Sequence, residues 1–339
     1  MYQLPVYQLE IAPGVTWVEG ERRGRFPFGD CLVLEGRRGH PGALRVVVDT
    51  GTGKGVIEAV AGAGPVDVVI NTHYHIDHVS GNGLVRARRP EACFWCPQGE
   101  GEAFSSWEGF LKFTGFNHPS LDDARPFREE IGWTPTPVSR ELADGEVLDL
   151  GGLEATVLRL PGHTPGHSGL WFQAERIVFC ADIDLSSFGP WYGDVHASVD
   201  DYLGSLDRLD SVIAEAVGPG HPVTILTSHR RPLDYESYIE RRARFRAHFA
   251  ERDERILRIL KAEGPLTLLG LARRWPIYGV PKARPLPGLW KSEYLMVRNH
   301  LAHLSRIGKV EAVEPACEEG PPASELSDLT GGGQLWRAL

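Results

Sequence analysis

The chain has 339 residues, 42% hydrophobic and 24% charged, with a net charge of −9. These values exclude a disordered or fibrous protein and leave room for one large domain and a smaller one. No apolar run approaches the ~20 residues of a membrane helix. Met1 to Glu10 lacks the basic-then-apolar order of a secretory leader, and the five cysteines are scattered and odd in number. Free thiols and a cytoplasmic location are therefore expected.

In chain order, residues 6 to 50 read as short strands, with Val15 to Glu19, Cys31 to Glu35 and Leu44 to Asp49 as apolar or β-branched runs. Val66 to Ile70 and Ala92 to Cys96 read as buried strands. Residues 98 to 135 break the pattern, with Trp107, Phe110, Phe113 and Phe116 near helical spacing. Ala155 to Leu160, Gly169 to Phe172, Arg176 to Cys180 and Val223 to Thr227 are strand-like. Val199 to Val217 reads as a helix with Leu203, Leu206, Leu209 and Ile213 on one stripe. From about Tyr235 helices take over: Tyr238 to Glu263, Leu266 to Trp275 and Ser292 to Ile307, followed by a strand at Lys309 to Val313. Residues 314 to 339 look loosely ordered apart from Leu335 to Leu339.

Charge supports a boundary at the same place. Residues 1–235 carry 19 Lys+Arg against 32 Asp+Glu (−13), 236–312 carry 16 against 8 (+8), and 313–339 carry 1 against 5 (−4). The expected organisation is a domain at 1–235, a second at 236–313 and a tail at 314–339. The acidic first part argues against a general nucleic-acid binder.

The densest chemical signal is His73-Tyr74-His75-Ile76-Asp77-His78, four potential metal ligands within six residues. Neither strand nor helix periodicity lets all four converge, so a loop is expected after the strand Val66 to Ile70. Three more candidates follow strand-like runs: His163, Asp182 and His229. Ligand sites in α/β proteins gather at strand carboxyl ends. Imidazoles and carboxylates suit zinc, iron or manganese. Seven ligands exceed one tetrahedral ion and suit two, with a carboxylate such as Asp182 able to bridge. Two such ions share a water and lower its pKa towards ~7, making hydroxide available. His40, His118, His196, His221, His248, His300 and His303 lack ligand-like spacing and read as structural or surface residues. His167 reads either as a partner to a ligand or as a turn residue.

The order H-x-H-x-D-H, then Gly162-His163-Thr164-Pro165-Gly166-His167, then Asp182 and His229, resembles the metallo-β-lactamase superfamily across residues 1–235. The resemblance implies an α/β fold, a four-layer αββα sandwich with the site at one edge. It implies His73, His75 and His163 on a first metal, Asp77, His78 and His229 on a second, and Asp182 as the bridge. Asp77 is implied to orient the nucleophile too, which makes it the candidate catalytic base. An aspartate at 182 resembles the glyoxalase II, lactonase and ribonuclease Z types more than true β-lactamases. The C-terminal stretch, with Arg255 to Leu260, Gly264-Pro265-Leu266-Thr267 and His300 to Val310, resembles the winged-helix extension of β-lactamase-like protein 2 relatives.

Weaker signals remain. Cys93 and Cys96 form a C-x-x-C that reads as ordinary packing, because i and i+3 of a strand face opposite ways. The aromatic stretch 98–135 is either core or a lid or pocket wall over the site. Phe188, Trp191 and Tyr192, close after Asp182, and Arg230, next to His229, are candidate pocket residues. Gly51-Thr52-Gly53-Lys54-Gly55 lacks the spacing of a phosphate loop.

The expected function is hydrolysis of an ester, thioester or lactone by metal-bound hydroxide. Alternatives are an endoribonuclease or phosphodiesterase, favoured by the +8 of residues 236–312 and opposed by the −13 before them, and an iron-dependent persulfide dioxygenase. Expected partners are two divalent ions, zinc foremost, and a small-molecule substrate. Nucleic acid is disfavoured, no membrane is expected, and association of identical copies is compatible with the sequence.

Overall fold

The computed structural model describes residues 6–115, 132–217, 222–281, 288–313 and 333–339. Two sheets form its centre. The first runs in chain order through β1 (Gln8–Ala12), β2 (Val15–Val18), β3 (Cys31–Glu35), β4 (Arg45–Val48), β5 (Val68–Ile70), β6 (Cys93–Pro97) and β7 (Arg140–Leu142). β1 to β4 pair antiparallel, whereas β4 to β7 pair parallel. The second holds β8 (Val147–Asp149), β9 (Glu154–Arg159), β10 (Ser168–Phe172), β11 (Ile177–Phe179), β12 (Thr224–Thr227) and β13 (Arg230–Leu233), again in chain order. Only β11 and β12 pair parallel in it.

Strand alternation makes the layers. Leu32, Leu34, Val46, Val48, Val68 and Ile70 pack between the sheets against Val157, Leu170, Ile177, Phe179 and Leu226. Their odd neighbours Cys31, Val33, Val47 and Val69 face outward onto helices Lys54–Ala63 and Asn82–Arg88. Leu158, Val178 and Ile225 likewise face helix Val199–Ala216. Each strand buried on both faces thus reads as a continuous apolar run. The result is helix, sheet, sheet, helix.

The expected elements are present, with differences at polar edges. Helix Tyr235–Glu263 begins three residues before the apolar pattern does, because the Asp234 carboxylate accepts from Ser237 N–H and caps it. β13 contains Pro232, which only an edge strand accommodates. Cys93 is exposed and Cys96 buried, as packing on opposite strand faces requires. Helices Gly101–Ser105 and Trp107–Thr114 belong to a core, not a lid: Phe104, Trp107, Phe110 and Trp133 enclose Tyr74, Ile76 and Val79 from beneath the metal-ligand motif. Phe116 lies outside the described residues, as do 116–131 in general.

The C-terminal region is helical. Helix Tyr235–Glu263 is followed by β14 (Leu266–Thr267), helix Leu268–Ala272, helix Leu289–Arg306 and β15 (Val310–Val313). β16 (Leu335–Ala338) lies between β14 and β15 and pairs antiparallel with both. The tail expectation for 314–332 falls outside the described residues. The apolar core does not stop at residue 235. Phe245, Phe249, Ile256, Tyr294, Leu295 and Leu301 join Tyr192, Tyr202, Leu206 and Ile213 in one buried cluster. Among the described residues no helix is long and apolar enough to cross a membrane.

Candidate metal centre

Four strand ends converge at one edge of the sandwich. β5 leads to His73 and His75. A one-turn helix, Ile76–Val79, then carries Asp77 and His78, so the expected loop is loop and helix in equal parts. β9 leads to His163, β11 to Asp182 and β12 to His229. Two glycines permit this close convergence. A side chain at Gly51 would meet the carbonyl of Asp77 at 2.0 Å, and at Gly162 (φ 124°) it would meet Tyr202 backbone at 2.3 Å. Ala181, just before Asp182, takes φ 44°, a conformation that costs a non-glycine residue of order 1–3 kcal/mol.

The seven side chains form two groups. His73, His75, His163 and Asp182 offer atoms within 4.8 Å of one another, and so do Asp77, His78, Asp182 and His229. Asp182 belongs to both, through different oxygens. Its Oδ2 lies 3.3 Å from His163 Nε2 and 3.9 Å from His73 Nε2. Its Oδ1 lies 3.0 Å from His78 Nε2 and 3.3 Å from His229 Nε2. Asp77 Oδ2 lies 3.3 Å from His229 Nε2.

Hydrogen bonding decides what the first group presents. His75 Nε2 faces Asp194 Oδ2 at 2.6 Å, and His163 Nδ1 faces the Trp191 carbonyl at 2.7 Å. His73 Nδ1 faces Thr72 Oγ1 at 3.1 Å; that hydroxyl donates to Asp49, so it accepts from the imidazole. Every outward nitrogen thus donates, and each neutral ring turns a lone pair inward. The inward nitrogens stand 2.8–3.2 Å apart. Three lone pairs at that separation repel unless a cation lies among them. Ligands at ~2.0–2.1 Å around a tetrahedral ion would be spaced at roughly 3.3 Å. These residues therefore fit a divalent metal ion.

The second group differs in charge. His78 Nδ1 donates to Asp49 Oδ2 at 2.8 Å and His229 Nδ1 to the Gly24 carbonyl at 2.6 Å. His78 Nε2 and Asp182 Oδ1 are buried and close, yet neither is aligned for a hydrogen bond. Burial pushes the His78 imidazole down, but Asp182, Asp49 and Asp77 outweigh it and hold it well above its ordinary range. His229 is raised likewise, with burial opposed by Asp182 and Asp77. These two imidazoles hold a proton more tightly than a free one does, and an ion bound there would displace it. His73 moves the opposite way, lowered by burial and by His78 and His75.

Several residues hold this frame without facing its centre. His167 donates from Nδ1 to the Leu160 carbonyl and accepts Asp182 N–H at Nε2. It thus positions Asp182, and burial lowers its own pKa to about 3. Asp49 accepts from Thr72 N, Thr72 Oγ1 and His78. Its place just after β4 is the same strand-end signal that marks the ligands. Asp194 accepts from His75, Tyr74 OH and Lys291 Nζ. Burial opposes its ionisation, but Lys291 and His75 hold it well below the usual carboxylate range. No spacing in the sequence marks Asp194 or Lys291.

The candidate pocket residues divide. Trp191 sets its ring edge-on to His75 and His163, at centroid distances of 5.1 and 5.6 Å. Tyr192 does not line a pocket. It is fully buried, stacked on Phe249, with its hydroxyl against His300 and Arg252. Phe188 stacks on Tyr278, and Arg252 lies over its ring. Arg230 donates to the Asp184 carbonyl at 3.3 Å. Beside His229, the exposed Arg22, Arg23 and Arg25 flank Gly24.

Known proteins resemble this chain in sequence and fold. A hydroxyacylglutathione hydrolase of Synechococcus sp. (strain JA-3-3Ab) is 30% identical over 169 residues, 49% of this chain and 54% of that protein. The acyl-coenzyme A thioesterase MBLAC2 of Gallus gallus is 29% identical over 197 residues, 52% of this chain and 65% of that protein. The chain spans about half the length of the curated relatives it matches. A crystal structure of the metallo-beta-lactamase family protein TTHA1429 from Thermus thermophilus superimposes with a TM-score of 0.67 at 21% identity, covering 97% of this chain and 100% of that one. That likeness extends through the C-terminal region and concerns the fold. The family pattern described as Metallo-beta-lactamase superfamily matches residues 25–221, more than half of the chain and six of the seven clustered residues, so the chain belongs to the metallo-beta-lactamase superfamily.

Proposed function

We propose that this protein is a hydrolase with two divalent metal ions that cleaves an acyl group from a thiol carrier. One observation carries the dinuclear reading: Asp182 turns Oδ2 towards the three-histidine group and Oδ1 towards the group of Asp77, His78 and His229. His73, His75 and His163 would hold one ion, and Asp77, His78 and His229 the other. The nitrogen-rich first group suits zinc, and the carboxylates of the second also accept iron or manganese. Two bound ions supply Lewis acidity, activating water near neutral pH and polarising a carbonyl. Asp77 is ionised, because His78 and His229 outweigh the effect of burial. Its carboxylate takes the water's proton and orients the attack. Trp191 gives the acyl group an apolar wall beside His75 and His163. Arg22, Arg23, Arg25 and Arg230 offer positive charge to an anionic carrier.

The thioester reading draws on the relatives named for hydroxyacylglutathione and acyl-coenzyme A. Order of elements supports a winged-helix-like unit over 236–313 completed by β16. Elemental analysis with a panel of acyl-coenzyme A, acyl-glutathione, lactone, β-lactam and RNA substrates tests the proposal. Two ions per chain and thioester turnover are expected. Cleavage of single-stranded RNA that falls steeply with salt, without thioester turnover, overturns it.

A further inference from the structure

Lys291 sits in the first turn of the last long helix, Leu289–Arg306, and 1% of it is exposed. A buried ammonium must be paired or it destabilises the fold by several kcal/mol. Its Nζ donates to Asp194 Oδ1 at 2.8 Å and to the Thr114 carbonyl at 3.0 Å. It also lies 5.5 Å from the centroid of the Trp191 ring. The other oxygen of the same carboxylate, Asp194 Oδ2, accepts from His75 Nε2 at 2.6 Å and from Tyr74 OH at 2.9 Å. A cation in the C-terminal region thus touches a carboxylate that touches a ligand of the three-histidine group. Among the described residues, the bonds that brace the imidazoles of His78 and His229 come instead from Asp49 and the Gly24 carbonyl.

We infer that Lys291 is a positioning residue for the three-histidine metal site, acting through Asp194 on His75. With Oδ1 pinned by Lys291, the carboxylate cannot rotate, and Oδ2 stays where it directs the His75 ring so that Nδ1 points inward. The C-terminal region then contributes to one metal site and not to the other. This inference rests on the dinuclear reading above.

Losing the outer partner of a ligating histidine typically costs 10–100-fold in metal affinity. The test loads full-length protein with zinc, titrates it with a chelator and measures zinc per chain, without an activity assay. Lys291→Met leaves Asp194 in place and loosens it, so one of two ions should come off at up to ~10-fold less chelator than the parent needs, the low end of what losing the outer partner itself would cost, while the second is retained as before. Glu293→Met is the structural control. Glu293 is equally buried in the same helix and accepts from the Ile277 and Tyr278 N–H groups, without bonding to Asp194 or the loop after β11. It should lower Tm without separating the two ions. Where Lys291→Met does not fold, the double variant Lys291→Met with Asp194→Asn leaves no buried charge unpaired and should release that ion no sooner than Asp194→Asn alone, because Lys291 acts only through Asp194. Two ions held as tightly as in the parent, or both weakened together as in Glu293→Met, overturn the inference. Failure of the parent to bind two ions would instead overturn the dinuclear reading.

Discussion

The two metal-facing groups share Asp182 but are built oppositely. The first is three imidazoles whose outward nitrogens meet Thr72, the Trp191 carbonyl and Asp194, and its bracing comes largely from the loop after β11 and the C-terminal helices. The second mixes two imidazoles with Asp77, and its bracing comes from Asp49 and Gly24 in the first sheet's loops. In the first, burial lowers the proton affinity of His73 and His75, whereas Asp182 outweighs burial and raises that of His163. In the second, negative charge raises both His78 and His229. One site is thus sensitive to distant packing and the other to nearby charge.

Removal of the C-terminal region would break the comparison altogether. A chain ended at Asp234 loses the cover of Tyr192, Tyr202, Leu206, Leu209 and Ile213, which belong to the shared cluster. At roughly 1.5–3 kcal/mol for each large apolar side chain, this rivals the ~5–15 kcal/mol of a whole domain. Such a chain should lack a cooperative thermal transition by calorimetry and bind no metal. A sharp transition with metal retained would mean that the two regions fold independently.

Asp182→Ala should strip both groups at once. Elemental analysis should find both ions lost, and kcat/KM should fall by more than the roughly 10–100-fold expected for an outer partner. Retention of one tightly held ion would show that the shared carboxylate matters to one side only. A finer distinction comes from Asp49→Ala, which removes the acceptor of His78 Nδ1. Zinc affinity of the second group should fall ~10–100-fold, with a smaller loss at the first, because Asp49 also holds the Thr72 hydroxyl that accepts from His73. His167→Ala leaves Asp182 N–H without its partner and should cost about 1–3 kcal/mol in denaturant melts.

The smallest effect concerns pH. Glu100 accepts Thr164 Oγ1–H and Gly166 N–H at Oε1, holding the loop that carries His163, and burial raises its pKa from 4.5 to about 7. The folded state keeps the proton up to about pH 7, whereas the unfolded chain releases it near 4.5. Stability from this group is therefore present at low pH and lost as pH rises between those values. Glu100→Gln mimics the protonated acid, since Oε2 has no hydrogen-bond partner. Thermal melts from pH 5 to 8 should show the parent losing more stability than the variant, by of order 1–3 kcal/mol. Parallel curves would place Glu100 as a carboxylate throughout.

The clustering of the seven side chains was legible in the sequence because each follows a strand with an apolar run. Val68 to Ile70 and Ile177 to Phe179 are short and continuous because the facing sheet covers one side and helices the other, and Ala155 to Leu158 departs from that only at Thr156. The edge strands were not legible: Arg140–Leu142 and Arg230–Leu233 are too polar and short to show a pattern. Nor were the braces. Asp194 and Lys291 are 97 residues apart, and each is a single charge whose meaning depends on the other. Tyr192 misled for the same reason: an aromatic near a ligand reads as pocket lining, but Phe249, far along the chain, claims its face.

The late position of Lys291 bears on how the protein matures. A ribosome adds ~5–20 residues per second, so this brace of His75 is made roughly 10–40 s after His75 itself. The three-stranded sheet beyond it closes later still, because β16 must enter between β14 and β15. A nascent chain therefore emerges with all seven clustered residues already made while Lys291 is still to come. On the dinuclear reading, secure loading of the three-histidine group is a post-translational event, and growth under metal limitation should leave chains deficient there first.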